Sequence, residues 1–258
     1  MISDKFILIS NDDGVRSQGI KVLAKEASKF ASVYVVAPEN EQSAKSHSLT
    51  IGRSLTITEL ESEENIKWFS IDGTPVDCVK LGISKILPRK PDFVLSGINH
   101  GANIGPDVLY SGTIGAAMEG LRHECPSLAF SSCMLSGKCS WKLAALVVHK
   151  CLSQVIANKL QFQTVLNINI PLLQSVKDLK GYQEAVLANM NSYRHSYEEI
   201  INIEGVKSYK LAPSLKKQNC EEGTDLKLVQ QGYVTISPLD LDVFDTNFDS
   251  KIFDYFKL

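Results

Sequence analysis

Apolar residues in this chain follow two patterns that alternate along its first half. Phe6-Ile7-Leu8-Ile9, Val33 to Val36 and Phe93-Val94-Leu95 are short continuous runs, the form taken by parallel strands covered on both faces. Between them, Ile20, Leu23, Ala24 and Ala27 recur at i, i+3, i+4 and i+7, and later Ile114, Ala117, Met118 and Leu121 repeat that spacing, so each set marks one face of a helix. Thr74-Pro75-Val76-Asp77 reads as a capping box with proline in the first turn, followed by Val79, Ile83, Ile86 and Leu87 on one face. Leu55 to Thr58 alternates and is expected to pair with Trp68 to Ile71 as an antiparallel excursion. Strands at Leu128 to Phe130 and Val165 to Ile168, with a helix from about Trp141 to Ile156 between them, continue the layering. The order of elements predicts an α/β fold with a doubly wound, mainly parallel sheet.

The pattern changes beyond Pro171. Tyr182 to Leu187, Val206 to Leu211 and Tyr233 to Ile236 read as strands separated by polar stretches, without helices of comparable quality to cover them. The expected division is a core over residues 1–171 and a smaller, hairpin-containing C-terminal portion over 172–258. Uncovered strands leave edges open to another chain. Phe244, Phe248, Phe253, Tyr255 and Phe256 crowd the end of the chain with more apolar surface than a free tail should show to water. Together they predict that the C-terminal portion assembles an oligomer, against the alternative that the tail packs back on its own subunit.

Composition narrows the class. With 258 residues, 44% hydrophobic and 22% charged, the chain can bury a full core and has neither a disordered nor a membrane composition. A formal charge of −2 with no basic stripe argues against nucleic acid as the main partner. Six cysteines without a C-x-x-C pair, most of them among apolar neighbours, read as reduced core thiols. The apolar run near the N-terminus is far too short for a signal-peptide core, and no stretch is long enough to span a bilayer, so a cytoplasmic location is expected.

Ligands in open α/β sheets bind at the carboxyl ends of the strands, and three loops that follow strands here carry unusual polar content. In Asn11-Asp12-Asp13-Gly14, two adjacent carboxylates at a strand end repel each other and lose hydration unless a cation or several donors neutralise them. The same tetrapeptide is also ordinary turn chemistry, with Gly14 at positive φ and the acids capping the next helix. The second loop is Glu39 to Ala44. The third, Gly97 to Gly112, contains Asn99-His100-Gly101-Ala102-Asn103, whose small residues let backbone N–H groups approach an anion. Tyr110-Ser111-Gly112-Thr113 then opens a helix and brings hydroxyls to its positive end, an arrangement that favours phosphate, although Ser111 or Thr113 could equally serve only as a cap. An acidic pair that wants a cation and a helix start that wants an anion together suit a metal-bridged phosphate.

Rival motifs fail on spacing. Gly14-x4-Gly19 lacks the lysine and hydroxyl of a P-loop at the right places, the first loop is not G-x-G-x-x-G, and the five histidines show no zinc spacing. His123, His149 and His195 read as structural, whereas His47 and His100 lie in the candidate loops and are candidates to face a substrate.

These residues carry a resemblance. Ile9-Ser10-Asn11-Asp12-Asp13-Gly14, Ala37-Pro38 with Gln42-Ser43-Ala44 and His47 to Thr50, Gly73 to Val79, Ser96 to Gly120 and Gly232 to Leu239 resemble, in order and spacing, the SurE family of survival-protein 5′-nucleotidases. The resemblance implies a three-layer Rossmann-like fold. It implies one divalent ion per subunit, Mg²⁺ or Mn²⁺, held by Asp12, Asp13, Ser43 and Asn99. It further implies phosphate contacts from Asn103, Ser111, Gly112 and Thr113, and dimers or tetramers that exchange a C-terminal arm. All-oxygen ligands suit a hard cation. Two positions depart from the family pattern: Ala44 stands where glycine is common, and Asp240 where some relatives carry a histidine associated with the leaving group.

The expected activity is hydrolysis of nucleoside 5′-monophosphates by a metal-dependent phosphomonoesterase. Catalysis would involve Asp12, Asp13, Asn103, Ser111 and Thr113, and His47 would join the phosphate contacts at the substrate. The alternatives are a non-catalytic metal- or nucleotide-binding module and a sugar-nucleotide transferase.

Overall fold

The polypeptide was analysed as a computed structural model, which describes residues 4–134, 138–160, 162–189, 196–201, 207–212 and 221–241. His195, Val206, Cys220 and the aromatic tail from Phe244 to Phe256 lie outside the described residues. The continuous apolar runs become strands β1 (Phe6–Ser10), β2 (Ser32–Pro38), β5 (Phe93–His100), β6 (Ser127–Ser132) and β7 (Val165–Ile170). The apolar stripes become helices α1 (Gln18–Ala27), α2 (Pro75–Leu81), α3 (Gly112–Arg122) and α4 (Trp141–Ala157). α2 starts on the expected capping box, Thr74 Oγ1 accepting from Asp77 N–H while Asp77 accepts from Thr74 N–H, and it ends in a wide turn over Gly82–Ile86.

β3 (Ile57–Glu59) pairs antiparallel with β4 (Ile66–Ile71) as expected, but β4 itself runs parallel to β2 and belongs to the main sheet. After β7 come β8 (Gly181–Glu184), the antiparallel hairpin β9 (Ser196–Ile201) and β10 (Lys207–Ala212), the short helix α5 (Asp225–Gln230) and β11 (Tyr233–Leu239). The nine-stranded sheet has the order β3-β4-β2-β1-β5-β6-β7-β11-β8, and β11 is antiparallel to β7 and parallel to β8. C-terminal strands therefore widen the main sheet, and the hairpin stands apart from it.

Helices cover both faces. α1 and α4 pack against Ile7, Ile9, Leu95, Phe130 and their neighbours, while α2 and α3 cover Leu8, Val36 and Val94 on the opposite side. That is why β1 and β5 are apolar at successive positions: each side chain enters one of two cores. Burial raises the thiol pKa of Cys133 and Cys151 to about 12, and the five described cysteines are free thiols. Among the described residues, no helix is long and apolar enough to cross a membrane.

β5 extends through Asn99 and His100, farther than its apolar run, with an irregularity against β6 between Ser96 and Asn99. Glycines permit it. A Cβ on Gly97, at φ +119°, would lie 2.2 Å from the Phe130 carbonyl oxygen, and one on Gly19 would lie 1.9 Å from that of Ile98. The bulged end of β5 is thus clamped between β6 and α1.

Candidate active site

β1 lies between β2 and β5, and successive connections leave it in opposite directions, so the loops after β1 and β5 diverge and open a crevice at the strand ends. Buried Asn11 shapes the β1 turn by donating to the Gly14 carbonyl (3.0 Å) and to Ser17 Oγ (2.8 Å). Gly14 adopts φ +91°. The turn chemistry read from the sequence is present, but the acids do not cap α1. They face the crevice.

Asp12 is 5% exposed and accepts a hydrogen bond from the Thr113 hydroxyl. Burial, with a contribution from the neighbouring Asp13 charge, outweighs that bond and pushes its pKa up to about 6. Asp13 accepts from the His100 backbone N–H at 3.2 Å, and burial again raises its carboxyl above the usual range, with Glu41 adding to the rise and His100 opposing it. Two adjacent carboxylates are therefore held where protein donors are too few for both to be charged comfortably.

Neutral oxygens stand nearby. Ser43 and Asn99 line the same cleft, Ser43 Oγ donating to Glu41 Oε1 at 2.6 Å and Asn99 Nδ2 donating to the Gly101 carbonyl at 3.0 Å, which leaves the Asn99 amide oxygen as an acceptor. Among the described residues, no group of three or more His, Cys, Asp or Glu side chains is placed to hold a metal. A cation here would rest on two carboxylates supplemented by hydroxyl and amide oxygens, a set that fits a hard divalent ion.

The α3 N-terminus closes on Asp12. Ser111 Oγ accepts from Ile114 N–H at 3.1 Å and caps the helix, and Thr113 is fully buried. A Cβ on Gly112 would come within 2.8 Å of Asp12 Cβ and 3.0 Å of its Oδ2, so only glycine lets the helix approach the carboxylate this closely. The first turn of α3 contains no acidic residue, leaving its positive end uncompensated by the helix itself.

Across the cleft, Asn103 is held on every side. Its N–H donates to Asn169 Oδ1 (2.8 Å), its carbonyl accepts from Asn167 (2.9 Å) and Asn169 (3.0 Å), and its own Nδ2 donates to Ser131 Oγ (2.9 Å). Asn167 and Asn169 are fully buried on one face of β7. Farther along, Asp225 Oδ2 accepts from Gly105 N–H at 2.8 Å while Oδ1 accepts from Ala188 N–H at 2.9 Å, tying this wall to the C-terminal elements.

The Ser43 loop is fixed at both ends. Gln42 N–H donates to the Asp12 carbonyl (2.7 Å), and Ser46 donates through its N–H to Tyr110 O (3.0 Å) and through its hydroxyl to Leu109 O (2.6 Å). Ala44 sits at φ +57°, a left-handed conformation that glycine would adopt without strain. His47 leaves the cleft and pairs with Glu119 at 3.0 Å. Burial would raise the Glu119 pKa, but the bond from His47 and the Lys80 ammonium hold it below the usual range. His47 and Asp240 line a separate cavity of about 390 Å³, which shares Ser111 with the cleft.

The cleft itself, about 890 Å³, brings together Asp12, Asp13, Ser43, Asn99, Asn103 and Ser111. His100 also lines it, its ring edge-on to Trp141, whereas His123 and His149 pair with Glu119 and Glu26. Sequence reading did not single out Asn167, Asn169, Ser131 or Asp225. The available signal was Asn-x-Asn inside an otherwise apolar strand.

A family model described as "Survival protein SurE" matches residues 7–195 of the chain. The 5′-nucleotidase SurE of Clostridium botulinum (strain ATCC 19397 / Type A) is 40% identical over 244 residues, 94% of this chain and 95% of that protein. The 5′-nucleotidase SurE of Vibrio vulnificus (strain YJ016) is 42% identical over 240 residues, 92% of this chain and 90% of that one. The crystal structure of SurE protein from Aquifex aeolicus superposes with a TM-score of 0.85 at 35% identity, covering 98% of this chain and all of the other.

Proposed function

The chain belongs to the SurE family, and from that premise we propose that it is a 5′-nucleotidase, hydrolysing nucleoside 5′-monophosphates to nucleoside and phosphate. The observation that carries this reading is buried Asp12, set directly against the positive end of α3, with the half-buried carboxylate of Asp13 adjacent to it. That arrangement suits a cation and a phosphoryl group bound side by side.

Asp12, Asp13, Ser43 and Asn99 would hold one Mg²⁺ or Mn²⁺ ion. Such an ion supplies Lewis-acid stabilisation of the charge that builds on the phosphoryl oxygens. Thr113 fixes the Asp12 carboxylate by its hydrogen bond, and Gly112 leaves the space in which the carboxylate sits. Ser111, the N–H groups of Gly112 and Thr113, and the second side-chain N–H of Asn103, whose first is given to Ser131, receive the phosphoryl oxygens, since donors preset toward developing negative charge stabilise the transition state. Water attacks phosphorus as the bond to the 5′-oxygen breaks; the water oxygen and one of its protons end in the phosphate, and the other proton ends on the 5′-hydroxyl of the departing nucleoside.

We place the enzyme in the cytoplasm, which suits its free thiols. Residues 172–258 would assemble a homodimer or homotetramer, an arrangement favoured by the edge that β8 leaves unpaired among the described residues. Light scattering of the full chain tests the assembly: a monomer at micromolar concentration removes it. The decisive experiment for the activity is inorganic phosphate release from adenosine 5′-monophosphate in buffer stripped by chelator and replenished with Mn²⁺ or Mg²⁺. Turnover that appears only on replenishment is expected. Turnover that ignores the metal, or none under any condition, overturns the reading.

A further inference from the structure

The cleft floor is polar, but its mouth is not. Tyr110, Met134, Tyr197 and Leu211 line the opening, and each remains between 46% and 65% exposed. They come from separate places in the fold: the turn before α3, the segment after β6, and the two strands of the hairpin. Tyr197 and Leu211 are direct cross-strand partners, so they stand side by side on one face of the β9–β10 ribbon. Large apolar residues gathered from three segments around one polar cavity mark a surface that meets an apolar ligand group.

Size points the same way. About 890 Å³ is far more than a phosphoryl group needs and falls in the range of clefts that enclose a whole small ligand. The floor residues recognise only the charged end of such a ligand.

We propose that Tyr197 and Leu211, with Tyr110 and Met134, form a nucleobase subsite that stacks the flat base of a nucleoside monophosphate whose phosphate rests at Asn103 and Ser111. The proposal rests on the nucleotidase reading and adds a selectivity for nucleotides over sugar phosphates. A base offers a π-face whatever its identity, so stacking on tyrosine favours nucleotides as a class without choosing strongly among them.

The test compares adenosine 5′-monophosphate with ribose 5-phosphate, which share the phosphate and the sugar and differ in the base. The ratio of their kcat/KM values is measured for the full-length protein, Tyr197→Ala and Tyr197→Phe. The ratio is expected to fall on the order of tenfold in Tyr197→Ala, chiefly through KM for the nucleotide, and to recover in Tyr197→Phe. An unchanged ratio overturns the subsite, as does a change in oligomer size on light scattering with no change in the ratio, because a second copy of the chain would then be what covers Tyr197. Failure of the nucleotidase reading looks different: the unsubstituted protein releases phosphate from neither compound. Calorimetric binding of the same two phosphates then decides, by the same ratio.

Discussion

The two sides of the cleft bury polar atoms in opposite ways. At the end of β1, Asp12 and Asp13 crowd charge into a place where burial raises both pKa values and few donors reach them. Toward β7, Asn103 has its N–H, its carbonyl and its side-chain nitrogen all engaged by Asn167, Asn169 and Ser131. Buried polar groups cost free energy when unpaired and little when paired. The carboxylate side therefore holds charge that the protein's own donors only partly offset, whereas on the amide side the protein's own groups meet one another.

The strongest way to break that contrast is Asp13→Asn. Activity should fall roughly a thousandfold, the rate equivalent of several kcal/mol of lost charge stabilisation. Mn²⁺ affinity on calorimetry should fall with it, while the metal-free melting temperature holds or rises because one of two crowded charges is gone. Near-normal turnover would remove the acidic pair from the mechanism.

The next effect is on pH. Since the Asp12 pKa rises from an ordinary 3.8 to about 6 on folding, the folded state binds the proton more tightly than the unfolded chain. The stabilisation is present below pH 3.8 and is lost as pH rises to about 6, a change of about 3 kcal/mol. Urea unfolding in chelator, with wild type compared against Asp12→Asn, should show their stability difference declining across that window. A flat difference would mean that Asp12 is not held in the way described.

On the amide side, Asn169→Ala should lower stability by about 2 kcal/mol, the cost of orphaning a buried backbone N–H. That corresponds to a melting temperature lower by roughly 4–8 °C. Mn²⁺ affinity should be preserved, and its loss would show that the two sides are not separable. The smallest expected effect on the fold is Ser111→Ala, where a lost helix cap costs about 1 kcal/mol. Ser111→Thr, which keeps the cap oxygen, should recover most of it on thermal melting.

Legibility in the sequence followed how local each signal was. The strands β1, β2 and β5, the stripes of α1 and α3, and the Thr74–Asp77 capping box are set by neighbours a few residues apart and could be read directly. The carboxylate pair was legible because adjacent acids at a strand end conflict without needing a partner. What escaped depends on distant contacts. His47 sits in a polar candidate loop, yet its partner Glu119 is 72 residues away. Asn167 and Asn169 alternate with Ile168 and Ile170 as a half-exposed strand would, but the Asn103 loop covers that face, so the polar side is as buried as the apolar one. β5 overran its apolar run because Gly19 and Gly97 allow backbones to approach closely.

The placement of β11 has a consequence for how the molecule comes into being. β8 has β11 as its sheet partner among the described residues, and β11, though later in the chain, lies between β7 and β8. During synthesis the ribosome therefore releases β8 before the strand it must pair with exists, and β7 keeps an open edge until residue 239 has emerged. The tether from Asp225 to Gly105 is likewise missing until late. The acidic turn at residues 12 and 13 is thus made well before the wall opposite it can be fastened.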